Sequence, residues 1–290
     1  MNESEIAAFW NSHPCGEESS GPLAAMGGAY EEFFERYDAF RYALEAHIPR
    51  CLDDLGVRRK RVLEIGLGQG ADSEQLIRRG AIWSGIDLTE EAVTRVRTRL
   101  ALRGLRYERL EKGSVLALPF ADRTFDIVFS HGVLHHVPDI ETAQRELHRV
   151  LKPSGVLVVM LYAKWSLNYL VSIAILRRLG LLFMLLLGIS GGGKYGQHVV
   201  NAKEVGARRY LTLRNFIHKN TDGPLNPYSK VYDLALVHKD FGKFSVIHSH
   251  KHFMYAPPLP VRWMPLASLL GWHLWVHMSP KGSGRQEVTS

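Results

Sequence analysis

The run Arg61-Val62-Leu63-Glu64-Ile65-Gly66-Leu67-Gly68-Gln69-Gly70 constrains the chain more than any other stretch. Arg61 to Ile65 reads as a short apolar strand, Gly66 to Gly70 as a glycine-rich turn, and Ala71 to Arg79 as a helix with Leu76 and Ile77 facing inward. In an open parallel sheet the crevice beyond the strand tips is where small molecules bind, and glycines there let the backbone come close to them. Gly66, Gly68 and Gly70 fit that use, although an ordinary tight turn would account for the glycines alone.

A second apolar run, Ile82 to Leu88, carries Asp87 at the tip of the next strand, where a carboxylate can take both hydroxyls of a ribose. The ligand is therefore read as a nucleoside. Gly66, Gly68 and Ala71 satisfy a loose dinucleotide fingerprint, in which loop amides hold a pyrophosphate. Glu64, just before the glycines, would repel phosphate and suits the ammonium group of an amino acid. That favours S-adenosylmethionine over NAD.

Further motifs follow in order: Gly85-Ile86-Asp87-Leu88, Leu118-Pro119-Phe120, Phe125-Asp126-Ile127-Val128, Leu134-His135-His136-Val137-Pro138-Asp139 and Val150-Leu151-Lys152-Pro153-Ser154-Gly155. With the Val62 to Gly70 run, these residues resemble the class I S-adenosylmethionine-dependent methyltransferases, and among them the group containing the ubiquinone and menaquinone methyltransferases. The resemblance is close over Arg61 to Leu161 and loose in the flanks. It implies an α/β, Rossmann-like fold: a seven-stranded, mostly parallel sheet flanked by helices, with an antiparallel final strand, an N-terminal lid and a helical cap.

The resemblance also implies a cofactor site for S-adenosylmethionine at Glu64, Gly66, Gly68, Gly70, Asp87, Leu88, Ser114, Val115, Ser130 and His131. Gly113-Ser114 departs from the family, which usually has an acid after the glycine to meet the adenine amino group; Ser114 can still accept a hydrogen bond. Methyl transfer is an in-line displacement, so alignment in a dry site is the main task, and a base is needed only where the acceptor must lose a proton. His136, then His135, are the candidates for that base. Tyr162, at the tip of the fifth strand, is the candidate for orienting the acceptor, with packing as the alternative for all three.

The expected organisation is a lid over residues 1–58, a cofactor-binding core over 59–162, a cap facing the acceptor over 163–242, closing strands over 243–278 and a disordered tail over 279–290. A first helical segment over residues 4 to 10 leads into a polar loop from Asn11 to Gly28. The next helix, Tyr30 to His47, offers Tyr30, Tyr37, Arg41 and Tyr42 as lid contacts. The third strand is expected over Leu105 to Glu111, the fourth over Phe125 to Ser130, the fifth over Gly155 to Leu161, and the last two over Phe244 to His250 and Trp272 to Met278. A short helix is expected around Met264 to Leu270.

From Ser166 to Ile189 the chain turns strongly apolar, broken by Arg177-Arg178, and reads as paired cap helices. Burial within the cap is the leading expectation, against lining an apolar acceptor pocket, peripheral membrane contact, or pairing in a homodimer. Gly191-Gly192-Gly193-Lys194 lacks the spacing of a phosphate loop and reads as a hinge. Asp222, in a turn cluster, either pairs with a nearby cation or edges the site. His248, His250 and His252 alternate along one strand face, but with no Cys or carboxylate ligand nearby no metal is expected.

Charge is divided: residues 1–140 hold 17 Lys and Arg against 22 Asp and Glu, and residues 141–290 hold 19 against 7, within a net +7. The basic half invites an anionic partner, and the acceptor is expected to be a small hydrophobic or anionic metabolite. Nucleic acid ranks low, because no recognition domain accompanies the charge. Two cysteines, Cys15 and Cys51, and an N-terminus without signal-peptide features point to a cytoplasmic chain. The rival readings are an NAD-dependent oxidoreductase and a non-catalytic module that binds S-adenosylmethionine.

Overall fold

The fold is described over residues 3–14 and 29–282 of a computed structural model. The expectations for the loop from Cys15 to Gly28 and for the tail beyond Gly282 concern residues outside these.

Seven strands, β1 (Arg61–Ile65), β2 (Ile82–Asp87), β3 (Arg109–Lys112), β4 (Phe125–His131), β5 (Leu151–Tyr162), β6 (Phe244–His252) and β7 (His273–Pro280), form one sheet in the order β3-β2-β1-β4-β5-β7-β6. β1 to β5 run parallel, and β7 lies antiparallel between β5 and β6. The chain order reverses between β1 and β4, which opens the crevice at their carboxyl ends. β1 and β4 are almost wholly buried, as strands covered on both faces must be.

The helices explain themselves locally. Helix α4 (Ala71–Arg78) follows the glycine turn directly, and α5 (Glu90–Leu102) begins where the Thr89 side chain accepts from the amide of Ala92. Asp139 caps α6 (Ile140–Val150) in the same way through the amide of Thr142. Before the sheet lie α1 (Glu3–Ser12), α2 (Tyr30–Leu44) and α3 (Ile48–Asp53). Helix α2 is fastened to α5 by fully buried Arg99, which pairs with Asp38 and Glu74 and lies over the ring of Phe34.

Several boundaries move. α1 continues through Asn11 to Ser12, and the helix expected from Tyr30 to His47 ends at Leu44, with a separate helix, α3, following beyond the expected range. β3 forms only from Arg109, because Arg109 to Lys112 is the part that pairs with β2. β5 starts at Leu151, which pairs with Phe125 before a register shift, so the Lys152 to Gly155 turn lies within the strand. β7 extends to Pro280, opposite Phe244, so the tail begins later than Ser279. The segment around Met264 contributes only a four-residue helix, Ala267–Leu270.

The largest correction concerns the cap. Instead of paired helices, α7 runs unbroken from Asn168 to Leu186, with π-type turns to Arg177 and α turns from Arg178. The two arginines do not break it because their guanidinium groups turn to backbone oxygens: Arg177 donates to Asn220 and Pro257, and Arg178 to Leu211 and Ala174. Gly193 opens the next helix, α8 (Gly193–Val205), instead of serving only as a hinge. The cap continues through α9 (Ala207–Tyr210), α10 (Leu213–Thr221) and α11 (Leu234–Asp240).

Candidate active site

The glycine turn places a pocket against the tips of β1, β2 and β4. Gly66 has φ +77°, and a Cβ there would come within 2.2 Å of the Val133 side chain, so only glycine lets the two loops meet. The pocket is lined by Glu64, Gly66, Gly68, Asp87, Leu88 and His131 among the expected residues. Val115 joins them, while Gly70, Ser114 and Ser130 stand behind the lining. Gly70 forms the αL turn that starts α4, and the Ser130 hydroxyl donates to the Ile65 carbonyl, 3.3 Å away, inside the core.

Two carboxylates differ in how they are held. Asp87 accepts from the amides of Leu67 at 2.7 Å and Thr89 at 2.8 Å and from the Thr89 hydroxyl at 2.8 Å. Its acid therefore shapes the glycine loop as well as facing the pocket, and burial raises its pKa against those donors. Glu64 is 2% exposed and accepts from Trp83 Nε1 at 2.8 Å. Burial, with the charge of Asp72, pushes Glu64 up to about 8.

Asp72 carries no expectation from sequence, yet it organises one wall. Its Oδ2 takes His131 Nδ1–H at 2.7 Å and Arg41 Nη2 at 2.8 Å. Burial acts to raise Asp72, but Arg41 and His131 outweigh it and hold the carboxyl well below its usual range. Arg41 and Tyr37 reach the pocket from α2, whereas Tyr30 packs on the Phe33–Phe34 cluster and the Tyr42 hydroxyl donates to the carbonyl of Ala71. An acid in the first turn after the glycines was the available signal for Asp72.

At the other end, His136 lines the pocket. Its Nδ1–H donates to the Tyr228 carbonyl at 2.7 Å, and its Nε2 lies 3.4 Å from Asp222 Oδ2. The Tyr162 hydroxyl donates to Asp222 Oδ1 at 2.7 Å, and the tyrosine ring stacks on Trp272. Tyr162 thus reaches the site through Asp222 and is not part of the pocket lining. His135 departs further from expectation: it is fully buried under Tyr162 and His136, its ring nitrogens have no partner among the described residues, and burial holds its pKa well below the usual imidazole value. A side chain so enclosed packs the floor and does not meet the pocket.

Helix α1 covers this end. Ile6 and Trp10 join Val133, Val137 and Pro138 in an apolar wall, and Trp10 meets the His136 ring edge-on at 5.1 Å. At its other end Glu3 accepts from the Ser114 hydroxyl. The helix was legible in sequence, but its contacts were not, because nothing local says where a terminal helix docks.

The alternating histidines lie elsewhere, on β6. The ligand atoms of Cys51, His250 and His252 fall within 4.8 Å of one another, so the fold brings up a cysteine that the sequence did not place there. Burial and neighbouring imidazoles hold His250 down at about 4, and burial pushes the Cys51 thiol up to about 12. His250 is stacked parallel to Trp275, and the cysteine whose absence argued against a metal lies beside it.

Comparison with known proteins agrees with this geometry. Residues 63–159 match the family model described as a methyltransferase domain. The chain is 33% identical over 160 residues to a malonyl-(acyl-carrier protein) O-methyltransferase from Halorhodospira halophila, covering 53% of this chain and 54% of that one. It is 36% identical over 101 residues to a fatty-acid O-methyltransferase from Mycolicibacterium smegmatis, covering 34% of this chain and 36% of the other. The matches thus span about half or less of these curated relatives. The crystal structure of a Pyrococcus horikoshii protein superposes with a TM-score of 0.52 at 18% identity, over 85% of this chain and 92% of its own, and shows the same fold.

Proposed function

We propose, for a chain whose residues 63–159 are a methyltransferase domain of the class I S-adenosylmethionine-dependent family, that it moves a methyl group to an oxygen, nitrogen or carbon of a small hydrophobic or anionic acceptor, with His136 as the base. The observation that carries this reading is the His136 tautomer: with Nδ1–H committed to the Tyr228 carbonyl, the neutral ring keeps its lone pair on Nε2.

The residues present fit the cofactor. Glu64 offers a buried acid to an ammonium group, the glycine loop allows close backbone approach, and Asp87 offers its carboxylate edge to ribose hydroxyls. Bound S-adenosylmethionine would supply an electrophilic methyl carbon on a sulfonium. The protein's part is to hold the acceptor in line, exclude water with α1 and take a proton at His136 Nε2. Asp222, 3.4 Å from that nitrogen, stabilises the imidazolium once formed.

The apolar wall of Ile6, Trp10, Val133, Val137 and Pro138 next to His136 supports a hydrophobic acceptor. Relatives named for a fatty acid and for a malonyl-acyl carrier accord with the hydrophobic and the anionic alternative. The test is calorimetric titration with S-adenosylmethionine, S-adenosylhomocysteine and NAD, followed by an acceptor screen read by mass shift. Binding of the two sulfur ligands and a methyl-sized mass gain are expected. NAD binding in their place would instead support the oxidoreductase, and cofactor binding without transfer to any acceptor the non-catalytic module.

A further inference from the structure

Helix α7 is strongly apolar and little protected. Its most apolar 18-residue window has a mean hydropathy of 1.9, yet only 17% of that window is buried. One flank, through Ser172, Ile173 and Leu181, is buried with the cap core of Val199, Tyr210 and Phe216. The remaining surface presents Leu179 and Phe183, each 59% exposed, and Leu186, 75% exposed, and continues beyond the helix with Leu187 and Ile189. A contiguous apolar strip of this kind marks a surface that something covers.

The neighbouring helices indicate what. Lys194, Lys203, Arg208, Arg209 and Arg214 are exposed on α8, on α9 and on α10, and Glu204 is the sole acid between residues 190 and 215. An exposed apolar strip on a helix whose neighbouring cap helices carry mostly cations matches a bilayer surface rich in anionic headgroups. A second copy of the chain fits less well, because a twofold interface over this part of the cap would bring like-charged helices toward one another. A transmembrane placement conflicts with the packed flank and with Arg177 and Arg178 in mid-helix, whose guanidinium groups are tied to cap carbonyls.

We propose that α7, with the cationic helices packed beside it, docks on membranes containing anionic phospholipid, with Leu179, Phe183 and Leu186 entering the acyl boundary. Helix α10, beside α7 in the cap, ends at Asp222 next to His136, so the docking element and the candidate site share one part of the cap, which would suit a bilayer-borne acceptor. That last connection rests on the acceptor reading above; the docking does not.

The test is co-sedimentation of the full chain with phosphatidylglycerol–phosphatidylcholine vesicles and with phosphatidylcholine alone, alongside calorimetry with S-adenosylmethionine. Binding to the anionic vesicles is expected, weakened by salt, and reduced about tenfold or more by L179E with F183E. Both positions are exposed, so cofactor affinity stays unchanged in that variant and reports an intact fold. Failure of the wild-type chain to sediment with either vesicle would overturn the proposal, as would sedimentation indifferent to the double substitution. A wild-type dimer in light scattering that the same substitutions dissolve would overturn it in favour of self-association. Loss of cofactor binding with vesicle binding retained would instead sink the methyltransferase reading and leave the docking standing.

Discussion

The Nδ1–H of His136 is bound to the carbonyl of Tyr228, 92 residues further along the chain, at 2.7 Å. A cap loop thereby sets the tautomer of a histidine at the tip of the central sheet. Replacing His136 with Ala removes the base while leaving the cofactor half of the pocket intact. We expect turnover of an acceptor that must lose a proton to fall by about 10²- to 10⁴-fold, with affinity for S-adenosylmethionine unchanged by calorimetry. Unchanged turnover would remove His136 as the base.

Glu64 yields a prediction in protons. Its pKa in the folded chain is about 8, above the ordinary 4.5, so near pH 7 the buried group holds its proton. An ammonium group beside it favours the carboxylate, and cofactor binding therefore releases a proton. The release is expected near pH 7, falls away as pH rises past 8, where Glu64 is already ionised in the free protein, and vanishes in Glu64→Gln. Calorimetry in buffers of different ionisation enthalpy measures it; a buffer-independent heat at pH 7 would count against this role. In the free protein the sign is the same: ionising Glu64 is harder in the folded state, so its contribution to stability declines as pH rises from 4.5 to 8.

Asp87 predicts a coupled loss. Its carboxylate holds the amides of Leu67 and Thr89, so Asp87→Ala leaves donors without partners as well as removing the ribose contact. The expected cost is about 1–3 kcal/mol of stability for the stranded donors, read by urea unfolding, together with loss of cofactor binding. Asp87→Asn, which retains one acceptor oxygen, recovers part of the stability.

Much of this was legible in sequence. The strand, glycine turn and capping residues Thr89 and Asp139 are local signals, and the backbone there obeys them. His131 and His136 were also legible, since they follow a buried strand directly. Asp222 was offered as a possible edge of the site, and it lies beside His136; Tyr228 and Trp10 were not readable as site residues, because their roles come from contacts across 92 and 126 residues of chain with the loop at β4. The cap helix was misread because hydropathy registers charge in mid-helix but not the carbonyls to which that charge turns.

Gly66 predicts a steric result. Gly66→Ala meets both a positive φ and the Val133 methyl groups. The backbone term alone is about 1–3 kcal/mol, and adding Val133→Ala returns the steric part but not the conformational part. Thermal unfolding of the single and double variants separates the two; full rescue by the second substitution would show that φ strain contributes nothing.

Helix α1 touches the site at both ends, Glu3 on Ser114 and Trp10 on His136. A rigid rod resting on two supports cannot clear one without disturbing the other. Under the proposed methyl transfer, spent cofactor and product would both have to pass this one helix, so a change at either support would be felt in the release of both.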